Sequence, residues 1–275
     1  MTPTKVYHAL VLAGSRNEDD PIVKYRGTPN KAMTPILDVP MLIRVLDTLL
    51  SCGEIHQITV CFDKPELIQS HDLVQKAVKQ QKLHFINTAA TPASSVQAFL
   101  NAYPNGYPFL LTTADHPLLT PNIVTNFIKN SDPYADLSVG LATEKVIQSA
   151  YPQSVRTYYR MRDGGFSGCN LYIIRSRVAE KVIIFWQKME RYRKNPLRLI
   201  AQIGWWSVIR FRLFGLTINQ AFQLLSKRLG VNAQPTIIPY AEAAIDVDKP
   251  SDFDLATQIL QNRLASDPKN SFRPY

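Results

Sequence analysis

The sequence predicts an α/β protein with a Rossmann-like, mostly parallel sheet, and three observations carry that expectation. Strand-length apolar runs alternate with segments of helical periodicity over the first half of the chain, the rhythm of strands joined by right-handed crossovers. Two of the runs, residues 9–13 and 108–114, are almost continuously apolar, as strands buried on both faces are. Each breaks at a residue suited to chemistry, Gly14 and Asp115, and ligands of parallel sheets gather at the carboxyl ends of strands.

The elements follow in order. Residues 9–13 are read as the first strand rather than a signal peptide, because the run is only strand length and leads into a charged loop. That loop carries Arg16, Lys24, Arg26 and Lys31; amides freed at Gly14, with cations beside them, make a cradle for phosphate. Leu42, Val45, Leu46, Leu49 and Leu50 set a helix over 39–52, ended by Gly53. A strand at 57–62, a helix at 66–80 opened by Pro65, a strand at 83–86 and a hydroxyl-rich helix start at 91–100 come next. The strand at 108–114 is followed by a helix at 121–130 and a strand at 137–142. Residues 156–160 and 166–174 then break the rhythm as two strands joined by Asp163-Gly164-Gly165. A helix over 176–193 and two or three more through 229 precede a strand at 236–239 and a closing helix at 251–264, with Ser251 as its expected N-cap. The expected organisation is one domain over 1–265, with a basic helical insertion at 176–229, and a loose tail at 266–275.

Charge is concentrated in one place. Residues 175–229 hold twelve Lys and Arg against Glu180 and Glu190, a balance of +10, so with a whole-chain charge of +9 the remainder sums to −1. A basic elaboration therefore sits on a nearly neutral core, and the absence of a reading module argues against nucleic acid. Three cysteines without C-x-x-C spacing suggest neither a disulfide framework nor a zinc site, which points to a reducing cytoplasm. For the insertion three readings stand: a helical cap with a cationic outer face, a site or lid for an anionic acceptor, or an interfacial helix touching acidic lipid as a peripheral membrane contact.

Asp115 at its strand end reads either as a cap of the helix near Pro121 or as a metal ligand, and Asp246 and Asp248 before Pro250 read the same two ways. Two such carboxylate sites could converge on one Mg2+, which prefers a few carboxylates plus water and substrate phosphate. The motifs Val11-Leu-Ala-Gly14, Lys31-Ala-Met-Thr-Pro35, Val39-Pro-Met-Leu42, Ser94-Ser-Val-Gln-Ala-Phe-Leu100, Ala114-Asp-His-Pro117, Gly168-Cys-Asn170 and Asp246-Val-Asp-Lys-Pro250 follow one another as in the nucleotidyltransferase superfamily. The chain resembles its molybdenum-cofactor guanylyltransferase-like (MobA-like) branch over 5–175 and 234–264, which implies a sheet of the nucleotide-diphospho-sugar transferase (GT-A-like) type.

The resemblance also implies roles. Leu12, Ala13, Gly14 and Ser15, with Arg16, match the loop that holds the triphosphate, and Lys31 the lysine that contacts the phosphates. Ser94 and Ser95 fall where relatives read base or ribose, though hydroxyls there also cap a helix. Asp115 and Asp246 match the Mg2+ carboxylates, with Asp248 beside them, and Gly168 and Asn170 lie where relatives approach the acceptor. The implied reaction moves a nucleoside monophosphate from a nucleoside triphosphate to a small phosphorylated acceptor and releases pyrophosphate. Two departures stand out: the glycine-rich loop is reduced to Gly14-Ser15-Arg16 before an acidic Asn17-Glu-Asp-Asp20, and Asp38 stands where a glycine is common. The alternatives are a GT-A-type glycosyltransferase using a sugar nucleotide, which usually carries an Asp-x-Asp where Asp115-His-Pro117 has one acid, and a non-catalytic nucleotide-binding regulator.

Overall fold

The computed structural model describes residues 6–14, 19–192 and 215–266. The parallel part of the sheet is built from β1 (Tyr7–Leu12), β4 (Ile55–Cys61), β5 (Leu83–Ile86) and β6 (Phe109–Thr113). A small hairpin, β2 (Pro35–Ile36) and β3 (Val39–Pro40), stands apart from it. The chain continues through β7 (Leu137–Thr143), β8 (Tyr159–Met161), β9 (Gly164–Ile174) and β10 (Ala233–Ile237). The large sheet has the order β10-β7-β9-β6-β1-β4-β5, with β8 paired to β9. All its pairings are parallel except those of β9, which runs antiparallel to β6, β7 and β8. The expected α/β sheet is thus present, and Pro235 is tolerated because β10 lies at the sheet's edge.

Helix α2 (Met41–Leu50) shows why the helices lie where they do. Leu42, Val45, Leu46 and Leu49 recur at helical spacing and each is fully buried against the sheet. The helix starts later than expected because Val39 and Pro40 are spent in the hairpin. Its turn places Leu37 and Asp38 at φ 48° and 63°, the left-handed pair of a two-residue hairpin loop, which explains why a glycine would be at ease at position 38. The expected 66–80 helix is instead a 3-10 turn at Pro65–Leu67 followed by α3 (Asp72–Lys79). Helices α4 (Pro92–Ala102) and α5 (Pro121–Asn130) match expectation closely, each with proline in its first turn and a threonine cap, Thr91 and Thr120.

Two short helices, α1 (Pro21–Arg26) and α6 (Glu144–Ala150), were not anticipated. Helix α1 accounts for part of the acidic stretch: Asp20 accepts from the amides of Ile22 and Val23 as N-cap, and Asp19 pairs with Lys24 at 2.6 Å. Beyond β9, α7 (Glu180–Tyr192) and α8 (Ile218–Leu229) cover a sheet face, with Ala179, Ile183 and Phe222 packed toward Leu111, Leu137 and Ile174. Ile218 N donates to the Asp163 carboxylate, so α8 begins at the β8–β9 turn. The helices expected between these two lie outside the described residues, as do the tail beyond 266 and Ser15 and Arg16. The last helix, α9 (Pro250–Ser266), begins one residue before Ser251, so Ser251 is not its cap; Asp252 in its first turn instead reaches back to the amides of Asp248 and Lys249.

Candidate functional site

Strands β1 and β6 lie side by side, their carboxyl ends joined by Ala114 N donating to Leu12 O, while Ala13 N donates to Cys61 O at the end of β4 on the other side. Gly14 follows, and a methyl group there would come within 3.0 Å of Thr88 Cγ2, so close approach rather than an unusual φ selects glycine. One residue past Ala114 stands Asp115. Its backbone carbonyl accepts from Val247 N at 2.9 Å, and that bond brings the late segment carrying Asp246 and Asp248 against the end of β6.

Lys31 enters from the other side. It opens a 3-10 turn, Lys31–Met33, capped by the buried Asn30, whose Oδ1 accepts from Ala32 N. From that turn the Lys31 ammonium donates at 2.5 Å to Asp115 Oδ2 and at 2.5 Å to Asp248 Oδ1. Burial works against the charged ammonium, but the two carboxylates outweigh it and raise the Lys31 pKa. Burial pushes Asp115 upward in turn, and Lys31 overcomes it, holding the carboxyl below its usual value. Asp115 does not cap the helix near Pro121; Thr120 does. Among the described residues no hydrogen bond reaches the buried Oδ1 of Asp115, although the nearby Thr113 hydroxyl helps to hold the carboxyl low.

Asp246 is held differently. Arg156, its side chain only 7% exposed, donates through Nη1 to Asp246 Oδ1 at 2.9 Å and through Nη2 to Asp252 Oδ1 at 2.5 Å. Asn170 Nδ2 donates to the other oxygen, Asp246 Oδ2, at 3.0 Å. Asn170 can reach because β9 bulges there: Val139 pairs with Tyr172 and Leu141 with Gly168, so three residues oppose one, and Asn170 takes φ 49°. Burial, then Asp115 and Asp248, push the Asp246 carboxyl up to about 6 against the pull of Arg156.

Lys31, Asp115, Asp246, Asp248 and Asn170 are therefore brought together at the carboxyl edge of the sheet, with Leu12, Ala13 and Gly14 beside them. Gly168 is exposed two residues before Asn170, with open space where a side chain would stand. Ser94 bonds Thr91, and the buried Ser95 accepts from Ala89 N, so both hydroxyls are engaged in shaping the loop before α4. Of the loop cations, Lys24 pairs with Asp19 and Arg26 lies over the Phe253 ring, which leaves Lys31 as the described one facing the carboxylates. Arg156 and Asp252 escaped the sequence reading. The reach-back carboxylate at the third position of α9 was readable, whereas nothing local distinguishes Arg156 from a solvated arginine.

The hydrogen-bonded network holds four carboxylates, Asp115, Asp246, Asp248 and Asp252, against two cations, Lys31 and Arg156, and no described residue hydrogen-bonds Asp115 Oδ1. Among the described residues no three acidic, histidine or cysteine side chains converge closely enough to cage a metal, so a divalent cation would fit here only by sharing the carboxylates with water and substrate phosphate.

The family of the MobA-like NTP transferase domain matches residues 9–164. No curated protein matches the sequence. Among solved structures, a hypothetical transferase from Thermus thermophilus is similar at 24% identity and a TM-score of 0.74, over 90% of this chain and 99% of its own. The 4-diphosphocytidyl-2C-methyl-D-erythritol synthase from Anaerococcus prevotii is similar at 13% identity and a TM-score of 0.56, over 94% and 97%. A CMP:2-keto-3-deoxy-manno-octonic acid synthetase complexed with CTP is similar at 14% identity and a TM-score of 0.53, over 94% and 99%. At these identities the likeness is one of fold.

Proposed function

The chain belongs to the MobA-like NTP transferase family, and we propose that it is a Mg2+-dependent nucleotidyltransferase that moves a nucleoside monophosphate from a nucleoside triphosphate to a small anionic acceptor. The observation that carries this reading is the gathering of Lys31, Asp115, Asp246 and Asp248, from segments far apart in sequence, at the end of β6, beside the strand that leads to Gly14.

An acceptor oxygen attacks the α-phosphorus in line; the new O–P bond forms as the bond to the β-phosphate oxygen breaks, and pyrophosphate leaves with the electron pair. No protein nucleophile is needed, so the chain's work is positioning and charge stabilisation. The loop beyond β1 would hold the triphosphate. Lys31, charged and reaching from a rigid capped turn, donates to phosphate oxygens as charge moves onto the leaving group. Arg156 and Asn170 fix the Asp246 carboxylate by one oxygen each, and Val247 N ties that segment to Asp115. Asp115 and Asp246, with Asp248, would hold Mg2+, which when bound neutralises phosphate oxygens and acts as a Lewis acid. Gly168 leaves room for the acceptor beside Asn170.

Pyrophosphate release measured across four nucleoside triphosphates and a panel of phosphorylated acceptors tests the reading. Turnover with at least one pairing is expected, lost in Lys31→Ala and Asp115→Ala. No release with any pairing would overturn it.

A further inference from the structure

We propose that Lys31 is a resident counter-ion that substrate displaces: in the nucleotide-free protein its ammonium stands in for the divalent metal between Asp115 and Asp248, so metal binds well only together with a triphosphate that draws Lys31 away. This rests on the reading above and adds an order of assembly to it.

Three observations carry the inference. Lys31 Nζ lies 2.5 Å from an oxygen of each acid, and its side chain is only 15% exposed, so the ammonium is wedged rather than solvated. Among the described residues no three acidic, histidine or cysteine side chains converge closely enough to cage a metal, although four carboxylates share one network. Asp115 and Asp248 are spaced about the Lys31 ammonium, and Asp246 and Asp252 about Arg156. Finally, Asp115 spends Oδ2 on Lys31 while no described residue makes a hydrogen bond to its buried Oδ1, which leaves it able to take a further ligand.

A triphosphate changes this arrangement. It offers oxygens to both cations, so Lys31 can exchange carboxylate for phosphate without losing charge-assisted bonds. Once it does, Asp115 and Asp248 lose their neutralising partner, and attraction for a divalent ion at that place rises steeply. The exchange keeps the free protein from loading metal in a site that lacks nucleotide, and makes the metal–triphosphate complex the species recognised.

Mn2+ titrated into nucleotide-free protein, with unbound ion followed by electron paramagnetic resonance, tests this without reference to turnover. Lys31→Met should bind Mn2+ at least ~tenfold more tightly than the parent, since a cation that repels the metal has been removed. Lys31→Arg, which keeps the charge, should stay near the parent. Lys249→Met removes the same charge from a lysine whose ammonium donates to Val155 O at 3.5 Å and forms no ion pair among the described residues, and should change affinity less than twofold. Thermal unfolding guards against a collapsed variant: Mn2+ should raise the melting temperature of Lys31→Met more than that of the parent. Equal Mn2+ affinity in parent and Lys31→Met, or equal tightening by Lys249→Met, would overturn the inference and leave pyrophosphate release untouched. Absence of pyrophosphate release would overturn the enzymatic reading and leave the Mn2+ comparison standing.

Discussion

Asp115 and Asp246 are the same residue type at the same sheet edge, yet their surroundings drive them apart. Asp115 is neutralised by a lysine on a four-carbon stem and sits below its usual pKa, with one oxygen that no described residue hydrogen-bonds. Asp246 has both oxygens engaged by the planar, wedged Arg156 and by Asn170, and is pushed up to about 6. One half of the site is built to exchange partners and the other to keep them. The difference follows from the cations: lysine is a flexible point charge, whereas arginine's fork commits two donors to Asp246 and Asp252 at once.

The contrast can be broken most forcefully through Arg156. Arg156→Gln strands the buried Asp252 and the partly buried Asp246, and should cost about 3–5 kcal/mol of stability, read from denaturant unfolding. Arg156→Lys should recover only part of it. On the other half, Asp115→Asn should reduce turnover roughly 10²–10³-fold and lower the unfolding midpoint less than Arg156→Gln does, because Asp248 still faces Lys31. If the two variants exchanged signatures, the division into a locked and an exchangeable half would fail.

Proton linkage sharpens the comparison further. Because the folded pKa of Asp246 is raised, the stability it contributes is full below about 3.8 and is lost as pH rises through about 6. Asp115 has the opposite sign: its folded pKa is lowered, so its contribution is present above the unfolded value and lost as pH falls through the folded one. His8 complicates a raw profile, since burial lowers it from 6.5 to about 4 and its contribution also disappears as pH falls through that window. The difference between the parent and Asp246→Asn, in metal-free buffer, removes the His8 background and should change by about 1–2 kcal/mol between pH 4 and 6 after screening. Smallest of all, Asn170→Gly should relieve the left-handed backbone while losing one bond to Asp246, a net change within ~1 kcal/mol, whereas Asn170→Ala keeps the strain and should be the more damaging.

Much of the fold could be read because apolar periodicity is local: the strands at 83–86 and 137–142 and the helix at 121–130 fall within a residue or two of expectation. Short elements without a repeating apolar face could not. Helix α1 has a single buried residue, Ile22, and announces itself only by Asp20, Pro21 and Gly27, punctuation that was read as acidic loop. The candidate site divides in the same way. Lys31, Asp115 and Asp246 lie in recognisable motifs, but what separates them in behaviour is Arg156, ninety positions from Asp246, and a bulge that turns Asn170 out of the ladder. Ser95, expected from its motif as a nucleotide contact, also accepts from the Ala89 amide, a loop-shaping bond that its sequence position does not announce.

The reversed strand β9 bears on how the molecule is made. β6 and β7 do not touch each other in the sheet; β9 lies between them and hydrogen-bonds to both. A nascent chain that has reached residue 164, where the family match ends, holds β1, β4, β5 and β6 as one sheet fragment and β7 as an orphan, each with an edge open to other chains. Only when the rest of β9, to Ile174, emerges from the ribosome can the two fragments be zipped into one, and the second carboxylate arrives later still, on Asp246. The stretch that the family match spans is therefore shorter than the stretch that closes the sheet, and the charge network at the sheet's edge is completed by residues synthesised after it.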